Sequence, residues 1–315
     1  MTIETLAYMY TRNLPKTVRP RRNVLVCLCT WECDFASPLD RSRYSSNVAF
    51  CRDIADWRRC CPNLYVWDYV TDFANYPMPF ADWDALVGNV RFFRDRGVKY
   101  LFEQGDGQGR HADFAELRAC LLAKLMWNPD QPVEPLLDDF FAGYYGKGAP
   151  FVRACFDEVR ALGRSWAAER PLQPLSIYGR TTDPILTDEF LERAEKLWRR
   201  AEEATKDDPD YAYNVRMGAF AIAYTRLERL RTRYSDSSAP WLADAPDFEG
   251  DLARMRTWAR RSLAALEEAG NMLTLAAMIS ICRNVNAASE WLHTLSKEES
   301  DYGKTVEKGK EVYTG

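Results

Sequence analysis

NLYVWDYVTDFANYPMPFADWDALVGNVRFFRDRGVKYLF, residues 63–102, reads as strand, helix, strand. Leu64 to Tyr69 is a short run of β-branched, aliphatic and aromatic residues, and Val98 to Phe102 is a second. Between them WDALVGNVRFFRDR, residues 83–96, sets Leu86, Val90 and Phe93 on one helical face, and Gly97 follows where a helix C-cap is expected. Two strands joined through a helix make a βαβ unit, which pairs its strands in parallel.

Upstream, Asn23 to Cys29 (NVLVCLC) and Thr5 to Tyr10 (TLAYMY) have the same character, with a weaker helical pattern from Asn47 to Trp57. All four runs are nearly continuously apolar, which predicts parallel strands buried on both faces. Beyond about residue 110 the sequence is helical. Asp113, with Glu116 three residues on, is a predicted N-cap for a helix that stops at Asn128-Pro129. Further helices are predicted at 133–144, 149–164, 187–206, 211–233, 249–269 and 271–295. In the third of these Thr187 starts the helix, and Phe190, Ala194, Leu197 and Ala201 form its apolar stripe.

The expected architecture is α/β followed by all-α. Residues 1–165 hold a partial (β/α) barrel with its closing helices, and residues 176–315 an α-helical domain, the Pro-rich ERPLQPL at 169–175 linking them. Four parallel strands amount to half of the eight that a closed barrel of this type requires. The chain therefore reads as a fragment, the C-terminal half of such a barrel, with two open sheet edges.

Composition narrows the function. The chain carries 42 basic and 46 acidic residues, a net charge of -4, and so has no field to gather phosphate backbones or anionic lipid. Nucleic acid and membrane are excluded as expected partners, and the basic run RNLPKTVRPRR at 12–22, broken by two prolines, reads as a solvated connection. No apolar run is long enough to span a bilayer, and the N-terminus lacks a signal-peptide pattern. Cys27, Cys29 and Cys33 are spaced C-x-C-x3-C, unlike the paired knuckles of zinc sites, and the chain has only two histidines, His111 and His293. No metal and no cofactor is expected. Cys27 and Cys29 read as small buried residues on one strand face.

Each predicted strand ends in acids and aromatics. Trp31, Glu32 and Asp34 follow the second strand; Trp67, Asp68, Tyr69, Asp72 and Phe73 lie at and beyond the end of the third; Glu103 and Asp106 follow the fourth. In parallel α/β architectures the C-terminal strand ends form the functional face, so these carboxylates are expected to converge. A pair of carboxyl groups, one protonated and one ionised, is what hydrolysis of a glycosidic bond requires. The glycines of EQGDGQG, residues 103–109, have neither the dinucleotide nor the Walker register and suit a sharp turn beside a ligand.

The blocks TLAYMYTRNLPKTVRPRRNVLVCLCTWECDFASPL, NLYVWDYVTDFANYPMPFADWDALVGNVRFFRDRGVKYLFEQGD and ELRACLLAKLMWNPDQPVEPLLDDFFAGYYGKGAPFVRACFDEV resemble a bacterial family catalogued as domain of unknown function 4838. The resemblance covers residues 4–165, with LRAxLLAKLxWNPD and FxxGYYGxGAP its most distinctive pieces. It implies affiliation with barrel glycoside hydrolases, including endo-β-N-acetylglucosaminidase-like relatives, and hence a glycan substrate and carboxylate catalysis. On that reading Glu32 or Glu103 is the general acid, and Asp34 or Asp68 orients substrate or stabilises charge. Trp31, Trp67, Tyr69 and Phe73 wall the sugar subsites, with Asp72, Asp106 and His111 as further contacts. The resemblance also implies a longer, secreted or periplasmic full-length protein, of which this chain alone would be an inactive piece. The alternative is a non-catalytic carbohydrate-binding or helical interaction module, in which the acids are dispersed and aromatics alone line the groove.

Overall fold

The computed structural model describes residues 1–107, 112–179 and 184–235, together with Thr257. Four strands, β1 (Ile3–Ala7), β2 (Val24–Cys29), β3 (Leu64–Tyr69) and β4 (Tyr100–Gln104), form one sheet in the order β1-β2-β3-β4. All three pairings are parallel. Helix α1 (Ser45–Cys60) connects β2 to β3, and α2 (Trp83–Asp95) connects β3 to β4. After β4 come α3 (Ala115–Trp127), α4 (Val133–Tyr145), α5 (Ala149–Glu169), α6 (Asp188–Thr205) and α7 (Pro209–Ser235). The helices predicted at 249–269 and 271–295 lie outside the described residues.

Strand order equal to chain order has a direct consequence. Parallel crossovers share one hand, so successive connections in one direction lay their helices on the same side of the sheet. Phe50, Ile54 and Trp57 of α1 and Leu86, Val90 and Phe93 of α2 share one buried cluster with Val26, Leu28, Leu64 and Val66 of the strands. Each such side chain contributes about 1.5–3 kcal/mol by leaving water. Among the described residues no helix covers the opposite face. There Tyr100 and Phe102 of β4 remain 57% and 41% exposed, and Leu6 of β1 49%. Burial on both faces, the sequence expectation, therefore holds for the middle of β2 but fails at β4 and over most of β1, because both are edge strands. The sheet does not close.

Most predicted elements form within a few residues of their expected ends. Gly97, at φ +71, closes α2 in a Schellman arrangement: its N–H reaches Arg94 O at 2.9 Å and the Val98 N–H reaches Phe93 O at 3.0 Å. Thr187 caps α6 as predicted, its hydroxyl accepting the Phe190 N–H at 3.2 Å. Asp113 does not cap α3. Its carboxylate accepts the Phe80 N–H at 3.1 Å and lies 3.6 Å from Arg118, and the helix begins after Phe114, a left-handed residue at φ 47. That conformation is uncommon for a bulky side chain, and Phe114 is wedged among Trp83, Phe141, Phe156 and Trp198. Tyr144 stacks on Phe140 and Tyr145 is buried, both as packing residues.

Two segments read as connections do more. In the basic run, Arg12 is buried and ion-paired to Glu32 and Asp53 at 2.8 and 2.7 Å. The Pro-rich stretch and the residues after it form a strap across the strand ends. Phe35 N–H donates to Leu175 O at 3.0 Å, Phe73 N–H to Ile177 O at 2.7 Å, and Asn75 Nδ2 to Gly179 O at 2.9 Å. One apolar cluster runs continuously from Ala7 to Leu227, joining α6 and α7 to the helices before them.

Candidate functional site

At the C-terminal ends of the strands, on the open face of the sheet, lies a cavity of about 360 Å³ lined by Leu6, Tyr8, Cys29, Trp31, Trp67, Tyr69, Phe73, Gln104 and Tyr178. Strand alternation puts them there. Trp67 and Tyr69 are two apart on β3, Cys29 is the register partner of Trp67, and Gln104 that of Tyr69. Seven rings follow one another along the cleft: Tyr8 on Trp31 at 6.2 Å, Trp31 on Tyr178 at 6.1 Å, Tyr178 on Phe73 at 6.2 Å, Phe73 on Tyr69 at 5.7 Å, Tyr69 on Trp67 at 6.3 Å and Trp67 on Phe102 at 5.2 Å. Most of these contacts are edge-to-face or tilted, which fixes each ring against its neighbour.

Polar atoms are few and specific. Gln104 Oε1 accepts the Trp67 indole N–H at 2.7 Å, which orients the amide. The Trp31 Nε1 donor is buried without a hydrogen-bond partner. Burial raises the Tyr69 hydroxyl well above the usual tyrosine range, so it stays protonated as a donor. No carboxylate appears among the lining residues.

The predicted acids lie elsewhere. Asp68 and Glu103 are register partners on adjacent strands, and their side chains take the face opposite Trp67 and Gln104, against the helices. Asp68 is buried and accepts from the Thr30 hydroxyl, the Tyr69 N–H at 3.0 Å and Asn89 Nδ2 of α2 at 3.3 Å. Burial outweighs those bonds and pushes its carboxyl up to about 6. Both Glu103 carboxyl oxygens are buried without a hydrogen-bond partner, and burial, then the charges of Asp68 and Asp82, hold that group well above the usual glutamate range. Asp82 is paired to Arg118, whose guanidinium also stacks 4.0 Å from the Trp83 ring centre.

Asp34 organises the loop after β2. Its oxygens accept the Ala36 N–H at 3.0 Å, the Leu175 N–H at 2.9 Å and the Ser42 hydroxyl at 2.9 Å, tying the strap down. Glu32 is engaged by Arg12. Asp72 accepts the Ala74 and Asn75 N–H groups at 2.9 and 3.2 Å, an Asx turn that sets Phe73 in the cleft wall. Asp106 accepts the Ala112 N–H at 3.4 Å and acts on Tyr76, whose ring packs on Phe73 at 5.7 Å, so it belongs to the rim. His111 lies outside the described residues. The structure thus gathers the predicted aromatics Trp31, Trp67, Tyr69 and Phe73 and separates them from the predicted acids.

Five lining residues were not among the predicted site residues: Leu6, Tyr8, Cys29, Gln104 and Tyr178. Alternation from Trp67 across to β4 could have found Gln104. Tyr178 had no such signal, since its place depends on the path of the strap. Cys27 and Cys29 are buried free thiols, as their strand spacing suggests. Among the described residues no helix is long and apolar enough to cross a membrane.

No curated protein and no solved structure matches the chain. Residues 1–157, from β1 into α5 and including every cleft residue except Tyr178, match the profile of the family described as Domain of unknown function (DUF4838).

Proposed function

We propose that the cleft binds a glycan and that the sheet is the C-terminal half of a (β/α) barrel, its open face being the barrel interior. The observation that carries the binding reading is the run of seven rings, six of which line a cavity of about 360 Å³ that has no carboxylate in its lining. Sugar rings present apolar C–H faces edged by hydroxyls, and aromatic walls with a few fixed polar groups match both. Gln104 and Tyr69 supply donors at the cleft, which suits a neutral, acceptor-rich ligand. The half-barrel reading is supported by strand order equal to chain order, by α1 and α2 packed on one face, and by a cleft at the C-terminal strand ends.

Between hydrolysis and binding, the geometry supports binding better. Asp68 and Glu103 are close to each other, yet they share the helix-covered face and not an open cleft between them. The test is calorimetric titration of the full chain with a panel of neutral oligosaccharides, alongside Trp67→Ala. A ligand that covers the Trp67 ring should bind the variant roughly tenfold or more weakly, since burying an aromatic side chain contributes about 1.5–3 kcal/mol. Absence of binding across the panel, or equal affinity for the variant, sinks the proposal; release of sugar product by the wild-type chain would favour hydrolysis.

A further inference from the structure

The cleft wall at β4 rests on a residue that the binding reading does not use. Gln104 holds Trp67 through its side chain, and its carbonyl accepts the Val70 N–H at 3.0 Å. The residue before it, Glu103, points to the other face, beside its register partner Asp68. Both Glu103 oxygens are buried and neither has a hydrogen-bond partner.

Among the described residues, the groups facing Glu103 leave it without a cation. On β3, Asp68 is itself a carboxyl, its oxygens taken by Thr30, Tyr69 and Asn89. Ahead of α2, Asp82 is a second, and α2 presents the neutral Asn89, already bonded to Asp68 and Leu39. From α3, Arg118 is committed to Asp82, Asp113 and the carbonyls of Phe80 and Asp113. An ionised Glu103 would sit desolvated among like charges, and the chain can escape that only by displacing the carboxyl. Displacement is local, because among the described residues β4 is an edge strand with a single neighbour.

We propose that Glu103 is a proton-controlled latch: its neutral carboxyl lets the end of β4 stay seated on β3, and loss of the proton unseats residues 103–104 and with them the Trp67 wall of the cleft. The consequence for the cleft rests on the glycan-binding reading; the latch itself does not.

A carboxyl that holds its proton more tightly folded than unfolded makes the folded state bind more protons over that interval. Stability therefore falls as pH rises from the ordinary carboxylate range to the Glu103 titration, and is flat beyond it. Asp68, pushed up to about 6, acts in the same direction but finishes earlier.

The experiment compares the full chain with Glu103→Gln, a neutral isostere, and with Glu103→Met, from about pH 5 to pH 9. Hydrogen exchange of the peptide covering residues 100–104, corrected for intrinsic rate, and the thermal midpoint are read for each. In the wild type, protection of this peptide should fall by up to about tenfold per pH unit as pH rises from the ordinary carboxylate range toward the Glu103 titration, and then level off. Both variants should keep their protection, retaining only the smaller change near 6 from Asp68. Parallel profiles for wild type and Glu103→Gln overturn the latch. If the profiles diverge while no oligosaccharide binds at any pH, the latch stands and the glycan reading fails.

Discussion

Arg118 sits at 4% exposure with two carboxylates and two carbonyls around its guanidinium, and the Trp83 face beneath it. Such a pair adds little beyond the desolvation it has to offset, but removing one partner leaves the other charge stranded. Arg118→Met should destabilise the chain by about 3–5 kcal/mol at neutral pH, read as a shift in the urea midpoint. The loss should shrink at acid pH. Asp113 is pushed up to about 7 and Asp82 is also raised by burial, so both carboxyls take protons more readily than an ordinary aspartate as pH falls and then need the cation less. An equal loss at about pH 5 and pH 8 would show that Arg118 acts through packing alone.

At the scale of the element, α6 tests whether local signals carry energy. Its stripe of Phe190, Leu191, Ala194, Trp198 and Ala201 is buried, and Thr187 closes its first turn. Thr187→Ala should lower stability by about 1 kcal/mol without changing the denaturant slope, and Thr187→Ser should restore most of it. Loss in the serine variant equal to that in alanine would assign the effect to packing of the threonine methyl.

The same element shows why some features were legible and others were not. Thr187, Gly97 and the Leu86, Val90, Phe93 stripe state their roles within a few residues of sequence, and each is realised. Asp113 offered an equally good local signal, but Phe80 N–H, 33 residues away in sequence, took its carboxylate, and Phe114 turned left-handed among distant rings. In β3 the strand was legible but its faces were not. Leu64, Val66 and Asp68 alternate with Tyr65, Trp67 and Tyr69, and that pattern already separates an aliphatic, helix-covered side from an aromatic one. Read as a continuous apolar run, it brought Asp68 and Trp67 to one site, whereas period-two alternation assigns them to opposite faces.

For the whole molecule, the open face is the dominant physical fact. Among the described residues the sheet has unpaired outer edges at β1 and β4 and an aromatic surface on which Tyr100, Phe102 and Leu6 remain substantially exposed. Exposed apolar patches beside free strand edges drive association, through edge pairing and burial together. The isolated chain should therefore gain mass with concentration in sedimentation velocity. Tyr100→Lys places a charge at the start of the edge strand β4, remote from the cleft lining, and should return the chain toward a monomer while leaving its thermal midpoint nearly unchanged. A wild type that stays monomeric at every concentration would mean that this face is covered within the chain itself, and the cleft would then have to be redrawn with a second wall opposite Trp67.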